Sequence, residues 1–233
     1  MNTTLPYLLS RHAFTCVCGE RVVILDLLSG HYLAVSGPSA RALGGYVQGW
    51  PLRPSGAEEP SVLHEFEAAG LLTKDRRRGK YDASPVKATQ GTESLADYPR
   101  CAALEIRFGH LVRFLFSAML VPLVARFMKL RHIVAYLHRR KRYREDRSTD
   151  LESIAQLVDV FNYLLPIFYT NRDRCYRNSL MLLHFLSQYD VQTDWIFAVR
   201  GEPFRAHCWI QVDHVILNDY VAFTAPLTPV LIV

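Results

Sequence analysis

Residues 171–186, "NRDRCYRNSLMLLHFL", set one cysteine directly in front of a long apolar run. Asp173 can cap the N-terminus of a helix, which places Cys175 in the first turn. The side chains from Leu180 to Leu186 make that helix apolar on nearly every side. A helix of this kind is buried in a core. The stretch therefore predicts a thiol at the mouth of a buried helix.

The 75 residues at the start of the chain are predicted to form a small winged-helix-like module of three strands plus helices. The strand-like runs are "AFTCV" (13–17), "RVVILDL" (21–27) and "HYLAV" (31–35), separated by sequences that suit tight turns. Ser36 is then expected to cap one helix, and Glu58 to Ala69 to form a second that ends at Gly70.

The remainder of the chain divides into a linker, 76–100, and a second domain, 101–233. The linker is polar and rich in turn-forming residues. Helical patterns run from Cys101 to about Arg142 and from Leu151 to about Tyr169, and the helix at Cys175 follows them. The strands "WIFAV", "HCWIQV" and "VILND" close the sequence. Helices followed by a short antiparallel sheet indicate an α+β domain.

The net charge of +5 is unevenly distributed. Between Arg100 and Arg147 there are twelve Lys or Arg residues against three acidic ones. This segment is interpreted as a solvated helix end or as a surface for an acidic partner. Nucleic acid is not expected as a partner, since neither the pattern of an RNA-binding sheet nor a helix-turn-helix recognition helix is present.

The longest uncharged apolar stretch, "FLFSAMLVPLVA" (114–125), is too short to cross the roughly 30 Å of a bilayer core. It predicts a core helix kinked at Pro122, and we expect no transmembrane segment. The first residues lack the pattern of a signal peptide. Five cysteines without a framework spacing favour reduced thiols and a cytoplasmic location.

Three polar residues follow one another in the order that nucleophilic catalysis requires. Cys175 lies at a helix N-terminus, where the macrodipole favours a thiolate. His207 begins one strand, and Asp219 ends the next. Thiolate, imidazole and carboxylate are the groups of cysteine hydrolases. The alternative is a small buried cysteine, a surface histidine and an ordinary turn.

Either Asn218 or Asp219 could orient the histidine, depending on the strand register. A two-residue turn at Asp213 and His214 would put Asn218 on the face of His207. A three-residue turn starting at Val212 would instead set Asp219 opposite the histidine.

The other cysteines carry no predicted chemistry. Cys208 is expected to point away from His207, to the opposite face of its strand, and to be dispensable. Cys16 and Cys18 are too close in sequence for a C-x-x-C metal pair, and no metal site or cofactor is expected. No G-x-x-x-x-G-K-[ST] phosphate-binding motif is present.

The segments "CYRNSLMLLHFL", "WIFAVRGEPFRAHCWIQVD" and "VILND" resemble the C-terminal protease of lasso-peptide biosynthesis, which has a transglutaminase-like or papain-like fold. The resemblance carries the orienting role onto Asp219, and so implies the three-residue turn or a bulge. The chain departs from the family pattern at Ala198, Cys208 and His214, none of which is a candidate catalytic residue.

The segment "VVILDLLSGHYLAVSGPSARAL" is similar to the precursor-recognition domain related to the pyrroloquinoline-quinone chaperone. Two such modules in one chain resemble the lasso-peptide B proteins of the microcin J25 type. Related domains bind a leader peptide between the third strand and the last helix. The expected leader-binding residues of this chain are therefore Tyr32, Leu33, Ala34, Leu63, Phe66 and Glu67.

The resemblance implies a cysteine peptidase with the triad Cys175, His207 and Asp219. Its expected substrate is the leader of a ribosomal precursor peptide, and its expected partner is an ATP-dependent lasso cyclase that closes the ring of the released core. Two other functions stay open: a non-catalytic scaffold that only binds the precursor, and an acyltransferase on the same fold.

Overall fold

The computed structural model describes residues 7–54, 61–97, 104–142, 150–168 and 175–233. The chain forms two compact units. The first comprises Met1–Lys87, Ala198–Ala206 and Thr228–Leu231. The second comprises Ala88–Phe197, His207–Leu227 and Ile232–Val233.

The helices and strands of the described residues have the following bounds. In chain order they are β1 (Leu8–Ser10), β2 (Ala13–Cys18), β3 (Arg21–Asp26), β4 (Tyr32–Ser36), α1 (Gly37–Ala42), α2 (Val62–Ala68), β5 (Leu72–Thr73), β6 (Gly79–Lys80), β7 (Glu93–Ser94), α3 (Phe108–Phe127), α4 (Leu130–Arg142), α5 (Leu151–Phe168), α6 (Cys175–Ser187), β8 (Asp194–Arg200), β9 (Arg205–Val212), β10 (Val215–Ile216), α7 (Val221–Thr224) and β11 (Thr228–Ile232).

The three strands predicted for the N-terminal module are confirmed, and they form an antiparallel sheet of order β2-β3-β4. Cys18 pairs with Arg21 across the first turn, where Gly19 adopts a φ of +62°. Such a backbone conformation suits glycine, which has no Cβ. A second small sheet, of order β5-β1-β6, was not predicted, because its outer strands have only two residues each.

The core of the first unit lies between these strands and helices α1 and α2. Its buried side chains include those of Leu9, Ile24, Leu43 and Leu63. The Nε1 of Trp50 donates a hydrogen bond to the carbonyl oxygen of Ala40 at 2.7 Å, so the one polar atom of this large side chain is satisfied. The predicted start of the second helix, at Glu58, lies outside the described residues.

The segment 76–100, predicted as a linker, contributes strands to both units. Strand β6 pairs with β1 in the first unit, and β7 pairs in parallel with β10 in the second. Ala83 is buried, and its carbonyl oxygen accepts a hydrogen bond from the Thr15 hydroxyl. The polar composition of this segment indicated a linker. Strands of only two residues are too short to show an alternating pattern in the sequence.

A five-stranded sheet has the order β11-β8-β9-β10-β7. In the second unit, α6 packs against α3 and α5. Three phenylalanines, Phe114, Phe161 and Phe185, meet at this contact with ring centroids 5.7 to 6.3 Å apart. Two of these contacts are edge to face and the third, between Phe161 and Phe185, is tilted. The helix that carries Cys175 is therefore held from two sides.

The apolar stretch at 114–125 lies within helix α3, which contains Pro122 and ends where Met128 has an extended backbone. The prediction of a core helix is wrong, since only one side of α3 is buried. By length and composition, α3 could cross a membrane, with a mean hydropathy of 1.7 over its apolar window, of which 17% is buried.

Candidate active site

Cys175 is the first described residue of α6 and is half-buried. The sequence of α6 contains no β-branched residue, no glycine and no proline, so nothing in it opposes a helix. Its apolar side chains, among them Leu182 and Phe185, are fully buried. The predicted cap, Asp173, lies outside the described residues. The buried helix with a thiol at its start is thus present as expected.

A hydrogen-bonded chain of three residues fixes the first turn of α6. The hydroxyl of Ser179 donates to the carbonyl oxygen of Cys175 at 2.7 Å. The same hydroxyl accepts a hydrogen bond from Nε1 of Trp195 at 2.8 Å. Trp195 belongs to β8 and is fully buried. The position of the thiol therefore depends on the packing of an indole from the neighbouring sheet.

His207 lies near the start of β9 and is hydrogen-bonded on both sides. Its Nε2 contacts Oδ2 of Asp219. That contact leaves Nδ1 for the thiol of Cys175, with which the ring is also hydrogen-bonded. The structure therefore brings together the three residues that the sequence singled out, within one unit of the chain.

The turn that carries Asp219 towards the histidine is not the one predicted. Val212 pairs with Val215, so the turn between β9 and β10 has two residues, and the prediction of a three-residue turn or a bulge is wrong. Asp213, the first residue of this turn, has a φ of +50°, a left-handed conformation that aspartate tolerates better than most residues.

Asp219 reaches His207 because the backbone pairing with β9 ends at Leu217, two residues before the aspartate. The last ladder-like hydrogen bond runs from the N–H of Leu217 to the carbonyl oxygen of Ile210, at 2.9 Å. Oδ1 of Asn218 then accepts the N–H of Ile210, at 2.8 Å. The amide that competed for the orienting role thus ends the strand pairing instead, and the carboxylate that follows it is free to turn towards the imidazole.

Asp219 itself is held by a residue that the sequence analysis did not consider. Ser94, in β7, donates its hydroxyl hydrogen bond to the carbonyl oxygen of Asp219 at 2.5 Å. The second carboxylate oxygen, Oδ1, accepts the N–H of Tyr220 at 2.8 Å. Ser94 belongs to the segment predicted as a linker, and only its pairing with β10 reveals it.

Cys208 is on the face of β9 opposite His207, as predicted, but that face also belongs to the site. Its sulfur lies 3.4 Å from Oγ of Ser179 and is hydrogen-bonded to the thiol of Cys175. Alternation along β9 does put Cys208 and His207 on different faces, but it does not say which face α6 covers. The contact with Ser179 shows that α6 packs over the face of Cys208. This residue is therefore part of the surroundings of the thiol.

Hydrogen bonds shift the pKa values of Cys175 and His207 so that both side chains are charged at neutral pH. The bond from the Cys208 thiol, with help from His207 and against the effect of burial, lowers the pKa of Cys175 to about 4. The bond to Asp219, and then that to Cys175, raises the pKa of His207 to about 9. Between these values Cys175 is a thiolate and His207 an imidazolium. A thiolate is the nucleophilic form of cysteine, and an imidazolium is a general acid.

The residues predicted to bind a leader peptide fall into two groups. Tyr32, Leu33 and Ala34 lie on β4, which is an edge strand among the described residues and pairs only with β3. Leu63 and Phe66 are buried in the core of the first unit. Glu67 accepts a hydrogen bond from the hydroxyl of Tyr7 at 2.8 Å.

The leader site stays a prediction, and the residues predicted for it differ in how accessible they are to a peptide. The strand residues lie on the edge strand β4, where Leu33 is 37% exposed. The two core residues support the module from inside.

Within the part of the chain that the structure describes, no cluster of histidine, cysteine or carboxylate side chains could hold a metal ion.

Residues 117–232 match the sequence model of the transglutaminase-like superfamily. The matched range contains Cys175, His207 and Asp219. No curated protein sequence and no solved structure matches the chain. The C-terminal part of the chain is therefore a transglutaminase-like domain, preceded by a strand-rich N-terminal region.

Proposed function

We propose that this chain, with its transglutaminase-like domain at 117–232, is a cysteine peptidase that removes the leader from a ribosomal lasso-peptide precursor. The observation that carries the proposal is the hydrogen-bonded set of Cys175, His207 and Asp219. The superfamily supports a peptidase or transferase reaction. The similarity of the sequence segments around the three residues to the lasso-peptide proteases favours peptide cleavage.

The proposed reaction proceeds through a thioester. The Cys175 thiolate attacks the carbonyl carbon of the last leader residue, and the backbone N–H of Cys175 stabilises the oxyanion. His207 then donates its proton to the leaving amine, which is the N-terminus of the core peptide. Neutral His207 accepts a proton from water, and the resulting hydroxide breaks the thioester. Asp219 holds the ring in position through both steps.

The N-terminal region is proposed to bind the leader along the edge strand β4. An edge strand presents unpaired N–H and C=O groups, to which an extended peptide can add. Tyr32, Leu33 and Ala34 would supply the main-chain pairing. The core residues Leu63 and Phe66 of α2, with the neighbouring Glu67, would support the strand. Tethering the substrate in this way raises its effective concentration at the thiol.

The proposed partner is an ATP-dependent cyclase in the cytoplasm, which would close the ring of the released core. The proposal adds no cofactor to this chain.

Two alternative functions predict other products when a precursor peptide is incubated with the protein. A scaffold would leave the precursor intact, and an acyltransferase would pass the acyl group of the thioester to an amine instead of to water, releasing the Cys175 thiol.

Mass spectrometry of a precursor peptide incubated with the full chain tests the proposal. We expect a free leader and a free core, with no product from Cys175→Ala. Cys16→Ala is the matched control, because this buried cysteine lies in the other unit. An uncleaved precursor, or a leader joined to an added amine, would contradict peptidase activity.

A further inference from the structure

Helix α3 exposes an unbroken apolar stripe along its whole length. The side chains recur every three or four residues and are 47% to 81% exposed. They are those of Phe108, Val112, Phe116, Met119, Leu123 and Phe127. Positions with this spacing lie on one face of a helix. At the usual rise the stripe is roughly 28 Å long.

The opposite face of α3 fastens the helix to the second unit. Phe114 and Val121 are buried, and the ring of Phe114 packs on that of Phe161 at 5.7 Å. The hydroxyl of Ser117 is hydrogen-bonded to Nδ1 of His184 at 2.9 Å. The exposed stripe therefore belongs to a helix that is fixed in the fold. Soluble monomers rarely expose a continuous apolar surface of this size without a binding role.

The segment that carries the stripe is also strongly basic. From Arg107 to Arg142 the sequence has nine Lys or Arg residues and no acidic residue, whereas the rest of the chain has 18 basic against 22 acidic residues. Three exposed cations lie around the C-terminal end of the stripe: Arg126 in the last turn of α3, Lys129 after it and Arg131 in α4. An apolar face bordered by cations is the pattern of helices that lie in the surface of anionic membranes.

We propose that the stripe of α3, with the basic residues at its C-terminal end, binds the surface of an anionic lipid bilayer. The helix lies in the plane of the interface, with its phenylalanines among the acyl chains and its cations among the phosphates. It does not span the bilayer, because the side chains of Phe114, Ser117 and Val121 are packed inside the domain.

A second copy of the chain fits this surface less well. In a two-fold symmetric contact between two α3 helices, the basic end of one helix would meet the N-terminal part of the other. Arg107 and Arg113 are exposed there, so cations would face cations. A protein partner fits less well too. Such interfaces have about one hydrogen bond per 100–200 Å². The twelve residues between Arg113 and Arg126 offer one polar side chain, Ser117, and it is buried.

Co-sedimentation of the full chain with lipid vesicles tests the proposal. The probes are vesicles of phosphatidylcholine alone and of phosphatidylcholine mixed with phosphatidylglycerol. We expect binding to the anionic vesicles, weakened by salt because the phosphates are screened. The double variant Phe116→Glu and Met119→Glu should bind at least about tenfold less well, since it places two carboxylates in the apolar contact.

The matched control is Tyr81→Glu, which adds a carboxylate at an equally exposed aromatic residue, 56% against 54% for Phe116. This control should bind vesicles like the native chain. Equal loss in the control and the double variant, or no binding to anionic vesicles, would overturn the proposal. So would a dimer in light scattering that the double variant dissociates. The assay uses no peptide substrate and is therefore independent of the proposed peptidase activity.

Discussion

The thiols of Cys175 and Cys208 are hydrogen-bonded to each other, although one begins a helix and the other lies inside a strand. Cys208 is 3% exposed, so its thiol has few alternative partners. This bond is the largest cause of the low pKa of Cys175.

Cys208→Ala should raise the pKa of Cys175, because the thiolate loses its neighbouring donor. Alkylation of Cys175 by iodoacetamide near pH 5 should then slow, approaching about tenfold for each unit once the pKa exceeds 5. Peptide mapping by mass spectrometry measures the rate at this cysteine. Cys208→Ser is the control, since a hydroxyl can still donate. An unchanged rate in the alanine variant would show that Cys208 is dispensable, as the sequence suggested.

The pH dependence of cleavage should be bell-shaped. Below about 4 the rate falls, because the thiolate of Cys175 takes up a proton. Above about 9 it falls again, because His207 loses the proton that the leaving amine needs. Asp219→Ala should move the alkaline limb to lower pH, since the carboxylate raises the pKa of His207. Asp213→Asn, in the turn, should leave both limbs in place. NMR titration of the imidazole gives the same test without substrate.

Substitution of Asn218 should lower stability, whereas substitution of Asp219 should lower activity. Asn218→Ala leaves the buried N–H of Ile210 without its acceptor and should lower the free energy of unfolding by about 1–3 kcal/mol. Asp219→Ala should reduce cleavage by roughly 10²–10⁴-fold with little effect on unfolding. Asp219→Asn should be milder, because an amide can still orient the ring. Denaturant unfolding and cleavage assays separate the two, and the reverse outcome would assign the orienting role to Asn218.

Ser94→Ala should lower kcat by about tenfold and leave KM unchanged, because Asp219 loses the hydroxyl that holds its carbonyl and the ring is less well positioned. Ser84→Ala, at an exposed serine before β7, is the control and should have native kinetics. A change in KM alone would show that β7 contributes to substrate binding instead.

Ala34→Pro in the full chain should abolish binding of a labelled leader peptide, because proline disturbs the edge strand and removes an N–H. Fluorescence anisotropy measures the binding. Alkylation of Cys175 should be unaffected, which shows that the second unit is folded. Ala34→Ser keeps the N–H and should bind normally. Native affinity in the proline variant would exclude strand addition at β4.

The sequence predicted the elements of the site better than their connections. The apolar run after Cys175 and the strand that starts near His207 have clear periodicities, and both form as expected. The register at Asp213 could not be predicted, because it depends on one residue adopting a positive φ. The role of Ser94 could not be predicted either, since a two-residue strand exists only through its pairing with β10.

Burial was the second property that the sequence left undetermined. The stretch at 114–125 is apolar on all sides, and such a pattern is typical of a core helix. The structure buries one side of it and exposes Phe116 and Met119. A sequence shows that a surface is apolar, but the neighbouring helices decide which part of that surface they cover.

Two of the three tryptophans of the chain contact residues of the site. The indole of Trp209 is stacked on the ring of His207, with centroids 6.3 Å apart and planes inclined by 28°. Trp195 is linked through Ser179 to the backbone of Cys175. An imidazolium quenches indole fluorescence more strongly than neutral imidazole does. The emission of the native protein therefore provides an intrinsic optical signal of proton transfer at the site, without any label.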